Sequence, residues 1–85
     1  MQLSIIIPVY NRPIEIRELL QSISPQLSET IEIIVVEDGS TISCKDECQP
    51  LIDANKLIYI KQHNSGPGQA RNNGAQNAKG TYLLF

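Results

Sequence analysis

No run of four basic residues occurs in the 85-residue sequence, and the net charge is −2. Neither feature gives an electrostatic reason to expect nucleic acid as a partner. Long apolar runs are missing too. The opening stretch Gln2-Leu3-Ser4-Ile5-Ile6-Ile7 is about six residues long, too short for a signal peptide's apolar region and far too short to span a bilayer. The simplest location expected from this is the cytoplasm. Cysteine is scarce: Cys44 and Cys48 are the only two. Their i, i+4 spacing is neither a C-x-x-C redox pair nor half of a zinc site. On a helix both thiols would share a face with Leu51 and Ile52, which reads as core packing. His63 stands alone, without a second metal ligand at helical spacing. The apolar fraction of 41% is that of a globular protein, so disorder is not expected. The length allows at most one small domain.

The stretch that organises what is present is Ile31-Glu32-Ile33-Ile34-Val35-Val36-Glu37-Asp38-Gly39-Ser40. Four consecutive apolar residues suit a strand buried on both faces. It stops at two carboxylates, a glycine and a hydroxyl. Leu3 to Val9 is a second such run, expected to pair up to Ile7 and to stop near Pro8, which has no N–H to give. Tyr10-Asn11-Arg12-Pro13 reads as a strand-to-helix turn, with Asn11 or Arg12 near the cap. Ile16, Leu19, Leu20 and Ile23 mark one face of the helix that follows, and Pro25 ends it at or near Ser24. A shorter helix is predicted over Ser43 to Ile52, with Pro50 as either a kink or the start of a last turn. Lys56 to Gln62 reads as a strand near a sheet edge. His63-Asn64-Ser65-Gly66-Pro67-Gly68 is a loop. A helix is predicted from Gln69 to Lys79, closed by Gly80. Its stripe of Ala70, Gly74 and Ala78 lets it lie close to a sheet. Thr81 to Phe85 begins a fourth strand.

The order βαβαβαβ implies an α/β fold with a mostly parallel, open sheet and right-handed crossovers. A chain ending on Leu-Leu-Phe in mid-strand reads as an N-terminal piece. In such a sheet the carboxyl ends of the strands share one rim. Pro8 to Asn11, Glu37 to Ser40 and His63 to Gly68 therefore collect at one edge, the expected ligand crevice.

The ligand is harder to read. No glycine lies between Pro8 and Pro13, so the G-x-G-x-x-G dinucleotide fingerprint is missing, as is a P-loop Lys-Ser pair. The G-P-G at 66 to 68 could hold an anion at a helix start or be a bare turn. Asp38 could accept hydrogen bonds from a base imide or ribose hydroxyls, or simply cap the helix that follows. Arg71 is either a surface cation or a contact to a diphosphate and base.

Four blocks in order carry a resemblance. They are Ser4-Ile-Ile-Ile-Pro-Val-Tyr-Asn11, then Ile33-Ile-Val-Val-Glu-Asp-Gly-Ser-Thr41, then Asn64-x-Gly66-x-x-x-Ala70-Arg71-Asn72-x-Gly74, and finally Ala78-x-Gly80-x-Tyr82-Leu-Leu-Phe85. Together they resemble the family-two inverting glycosyltransferases of the GT-A fold, over nearly the whole chain. The resemblance implies a nucleotide-sugar donor site. In it Pro8, Tyr10 and Asn11 border the nucleoside, Asp38 hydrogen-bonds the base (usually uracil), and Arg71 lies near the base or diphosphate. Glu37 stands where an aspartate is common, with the charge kept. The resemblance further implies transfer to an acceptor hydroxyl with inversion, a saccharide or lipid-linked acceptor as in polysaccharide biosynthesis, and a divalent metal, Mn²⁺ or Mg²⁺. A lipid-linked acceptor would bring the protein to the inner face of the membrane. The acidic metal-binding motif and the catalytic base are expected beyond Phe85, so residues 1–85 read as the donor-nucleotide part of one domain, inactive alone. The competing expectation is a non-catalytic nucleotide-binding module or an incomplete domain.

Overall fold

The computed structural model describes residues 2–80 and 82–84. Four parallel strands, β1 (Leu3–Val9), β2 (Ile31–Asp38), β3 (Leu57–Gln62) and β4 (Tyr82–Leu84), form one sheet in the order β3-β2-β1-β4. Helices α1 (Pro13–Ile23), α2 (Lys45–Asp53) and α3 (Pro67–Asn77) connect them in turn, so the fold is an open α/β sheet as expected. β2 lies inside the sheet, and every side chain from Glu32 to Asp38 is buried. Ile33, Ile34, Val35 and Val36 are wholly inaccessible. At roughly 1.5–3 kcal/mol for each fully buried aliphatic side chain, these four together contribute on the order of 6–12 kcal/mol of burial.

Winding direction decides which face each helix covers. The chain steps from β1 to β2 to β3, then returns across the sheet to place β4 beside β1. Right-handed crossovers put α1 and α2 on one face and α3 on the other. Val9, Ile16, Leu20, Ile33, Val35, Cys44, Cys48 and Leu57 make the core beneath α1 and α2. Ile6, Ile34, Val36 and Ala70 make the core beneath α3. A Cβ on Gly74 would sit 2.5 Å from Ile6 Cγ2, so glycine lets α3 approach this closely. Both cysteines are free and buried, with Leu51 and Ile52 packed against their cluster. Contact with Cys48 and burial push the Cys44 thiol up, which keeps it protonated.

Several expectations need correction. β1 does not stop at Ile7: Pro8 pairs with Val36 and Val9 with Glu37. The described pairing of β1 with β4 covers Leu3 to Ile5, while β2 runs beside β1 through Val9 and keeps Pro8 in the ladder. Leu19 is 41% exposed. It lies about 60° around the helix from Ile16, on the flank of the buried stripe. Helix α2 starts at Lys45 and runs through Pro50 to Asp53. α3 starts earlier than predicted, with Pro67 in its first turn, and ends at Asn77, where Ala78 is extended. Gly80 therefore does not close the helix. A Cβ there would meet Ser4 Oγ at 2.5 Å and Ser4 N at 2.7 Å, so its role is close approach to β1. Of the predicted fourth strand, Thr81 and Phe85 lie outside the described residues.

Candidate functional site at the carboxyl rim of the sheet

Glu37 and Asp38 are neighbours on β2, and the pleat sends them to opposite faces. Glu37 is 1% exposed. Its Oε1 accepts hydrogen bonds from Tyr59 Oη (2.6 Å), the Cys44 N–H (2.9 Å) and Ser43 Oγ (3.0 Å), while Oε2 is buried without a partner. Burial pushes this carboxyl up, but the donors from Tyr59, Cys44, Ser40 and Ser43 outweigh it and hold it below the usual range. Burial and the Glu37 carboxylate in turn push Tyr59 up to about 12. Glu37 thus ties the start of α2 to β3 and does not reach the rim as a free acid.

Asp38 points the other way. Its Oδ1 accepts from the Ser65 N–H (2.7 Å) and Gln62 Nε2 (2.9 Å), and its Oδ2 from the Gly66 N–H (3.0 Å). The Gln62 amide and the Ser65 N–H, with help from Gly66, hold this carboxyl below its ordinary value. Asp38 therefore does not cap α2. It pins the β3–α3 loop, whose Gly66 adopts φ 93° as the N-cap of α3. The G-P-G segment is in this sense a turn that presents N–H groups to a carboxylate of the same chain. Gly39, at φ 71°, lets the end of β2 pass so close that a Cβ would fall 2.5 Å from Asn64 N.

Asn11 stitches the first two loops. It adopts φ 53°. Its N–H donates to Ser40 Oγ (2.8 Å), and its Oδ1 accepts from the backbone N–H groups of Thr41 (2.8 Å) and Ile42 (3.0 Å). An asparagine carries such a left-handed conformation at modest cost because its short amide can bond locally.

Pro8, Val9, Tyr10, Asp38, Pro67 and Arg71 enclose a cleft of about 290 Å³ at the carboxyl rim. Four of the five residues singled out in the sequence thus line one space. The fifth, Asn11, does not line it and shapes the loop beside it. Tyr10 is 51% exposed, leaving its ring open to solvent. Arg71 is exposed and brings a cation to the cleft. Larger hollows lie elsewhere, about 360 Å³ between α1 and α2 and about 460 Å³ at the opposite ends of the strands, but neither gathers residues from the strands' carboxyl ends. Among the described residues no group of three or more His, Cys, Asp or Glu could hold a metal ion. His63 is exposed in the loop after β3.

Several partners in this network carried no separate signal in the sequence. Gln62 and Asn73, whose Nδ2 donates to Gln62 Oε1, are ordinary polar residues until β3 and α3 are brought together. The buried Glu32 is another: its Oε2 accepts from Ser4 Oγ (2.6 Å) and the Lys79 N–H (2.7 Å), while the Gly80 N–H donates to Ser4 Oγ (2.9 Å). This cluster anchors the chain just ahead of β4.

Residues 4–85 match the family described as Glycosyl transferase family 2. The chain belongs to that family. Among curated family-2 relatives, Glycosyltransferase GlyA of Streptococcus pneumoniae is 39% identical over 85 residues, 99% of this chain and 12% of its own length. An uncharacterized glycosyltransferase of Rickettsia bellii is 44% identical over 82 residues, covering 96% of this chain and 12% of the relative. The putative glycosyltransferase EpsH of Bacillus subtilis is 36% identical over 83 residues, covering 96% and 24%. The chain thus spans about an eighth of the first two of these relatives and a quarter of the third. Among solved structures, S. aureus TarS 1-349 superposes over 100% of this chain and 26% of its own, with a TM-score of 0.89 and 31% identity. TarS 1-349 in complex with UDP gives 0.89 and 30% over the same shares. Among the described residues no helix is long and apolar enough to cross a membrane.

Proposed function

We propose that this chain is the donor-nucleotide part of an inverting glycosyltransferase of GT-A type, one that moves a hexosyl group from a UDP-linked sugar to an acceptor hydroxyl. The observation that carries the reading is the convergence of Pro8, Tyr10, Asp38 and Arg71 on one cleft at the strands' carboxyl ends. The structural neighbour solved with UDP supports uridine as the nucleoside.

The chemistry follows from the atoms present. An ionised carboxylate offers about four acceptor positions, and the protein fills three of Asp38's. The remaining one, on Oδ2, suits the single N3–H of uracil. The exposed ring of Tyr10 gives the base an aromatic edge or face to lie against. Arg71 offers a fixed positive charge to the diphosphate. Asn11 contributes by positioning, because its carboxamide oxygen is taken up by Thr41 and Ile42. In the transfer itself the acceptor oxygen attacks the anomeric carbon as the bond to the diphosphate breaks on the opposite side. The described residues do not make a site for the divalent metal that the reading includes. Its ligands, the base that deprotonates the acceptor, and the saccharide or lipid-linked acceptor site are assigned to other residues. A cytoplasmic location, in peripheral contact with the membrane for a lipid-linked acceptor, completes the reading.

The test is a calorimetric titration of UDP into the protein and into Asp38→Ala, after circular dichroism shows both folded. Binding that needs no metal and weakens roughly ten- to a hundredfold in Asp38→Ala is expected, the loss of a hydrogen bond to a charged acceptor. A folded protein that ignores UDP would leave a non-catalytic domain of the same fold.

A further inference from the structure

The amides beyond Asp38 form a directed chain. Asn77 Nδ2 donates to the Asn73 carbonyl (2.9 Å) and, more distantly, to Asn73 Oδ1 (3.3 Å). Asn73 Nδ2 donates to Gln62 Oε1 (2.9 Å), and Gln62 Nε2 donates to Asp38 Oδ1 (2.9 Å). Each amide has one end that only donates and one that only accepts, so fixing one fixes the next. Asp38 at the terminus is an acceptor, which sets the whole relay running from α3 through β3 to β2.

The geometry points to Gln62 and Asn73 as positioning residues that set base selectivity at the proposed donor site. The inference rests on the donor-site reading. With Gln62 and the Ser65 N–H filling Oδ1, the acceptor position left over belongs to Oδ2 alone. A carboxylate held in that rotamer meets a base through one acceptor. It rewards an imide N–H, as in uracil, and repels a ring nitrogen that carries a lone pair, as N3 of cytosine does. Without the relay the Asp38 carboxylate gains a second open acceptor position and the freedom to turn, and the discrimination fades.

Asn73 is the informative position, because its polarity can be reversed without changing its shape. Asn73→Asp presents only acceptors to Gln62, which then turns its amide and sets Oε1 against the Asp38 carboxylate. Asn73→Ala removes the donor and leaves Gln62 free to keep its orientation. UDP and CDP share the diphosphate, so an added charge weakens both alike and cancels in the ratio of their dissociation constants. That ratio is measured by calorimetry for the wild-type protein and both variants, each checked by circular dichroism. The wild-type protein is expected to prefer UDP by about tenfold or more. Asn73→Asp is expected to bring the ratio near unity, and Asn73→Ala to give an intermediate value. A merely space-filling role predicts the reverse order, since Asp is the closer isostere. An Asn73→Asp ratio equal to the wild-type one, or a larger loss in Asn73→Ala, overturns the relay while leaving the donor site standing. A wild-type protein that binds both nucleotides alike overturns the relay's role in base selectivity, and one that binds neither overturns the donor-site reading and the relay with it. Should Asn73→Asp not fold, Gln62→Met carries the same measurement: a lowered ratio supports the relay and an unchanged one overturns it.

Discussion

Replacing Glu37 by alanine should destabilise the protein severely and leave the donor cleft chemically intact. The carboxylate is 1% exposed, and one of its oxygens takes three donors: Tyr59 Oη, the Cys44 N–H and Ser43 Oγ. At roughly 1 kcal/mol for each hydrogen bond, the loss is about 3 kcal/mol, and more if the buried Cys44 N–H finds no water. A domain of this length has a total stability on the order of 4–13 kcal/mol, so the variant sits near the edge of folding. The expected fall in melting temperature is roughly 12–24 °C, read by far-UV circular dichroism at neutral pH. The pH dependence has a definite sign. Glu37 titrates below 4.5 in the folded protein, so its contribution is full above that value and is lost as the pH falls through the folded-state pKa. Glu37→Gln, which cannot ionise, should flatten the acid limb of the stability curve below pH 4.5. A Glu37→Ala melting temperature within a few degrees of wild type would refute the assignment of Glu37 to the core. So would a well-folded Glu37→Ala that loses UDP binding to the extent expected of Asp38→Ala.

Gly80→Ala should cost roughly 1–3 kcal/mol, because its Cβ would press on the backbone nitrogen of Ser4 at 2.7 Å, which cannot move aside as a flexible side chain could. Urea denaturation checks it, and a midpoint equal to wild type would refute the close approach. Cys44 and Cys48 are both fully buried, and contact with Cys48 and burial hold the Cys44 thiol protonated. A thiol reagent should therefore modify the native protein about a hundredfold more slowly than the urea-unfolded one; comparable rates would place the thiols outside the core.

Much of the architecture was legible because it rests on local rules. Runs of β-branched residues marked the buried strands, and the small-residue stripe of Ala70 and Gly74 marked the helix that lies closest to the sheet. Alternation of strands and helices gave the parallel sheet and, with it, the common rim. The boundaries that shifted did so for tertiary reasons. Pro8 stays in the ladder because β2 runs beside it as far as Glu37, a partner far away in sequence. Gly80 looks like a helix stop, but its requirement comes from Ser4, 76 residues earlier. Gln62 and Asn73 were illegible for the same reason: an amide acquires a role only when another amide is placed against it.

The two adjacent acids show where a one-dimensional reading must divide. Glu37-Asp38 at a strand end reads as a pair of carboxylates delivered together to a ligand. A strand has a side-chain period of two, so neighbours cannot face the same space. The side that turns toward α2 meets a hydroxyl-rich helix start and a tyrosine, and there a carboxylate becomes a structural joint. The side that turns toward α3 meets the loop N–H groups of Ser65 and Gly66, which orient a carboxylate without saturating it. The capping role that the sequence allows Asp38 is therefore not the one it takes: it pins the loop after β3, and that role leaves room for a ligand. The same three donors that fix the loop keep Asp38 ionised and leave it one acceptor position to offer.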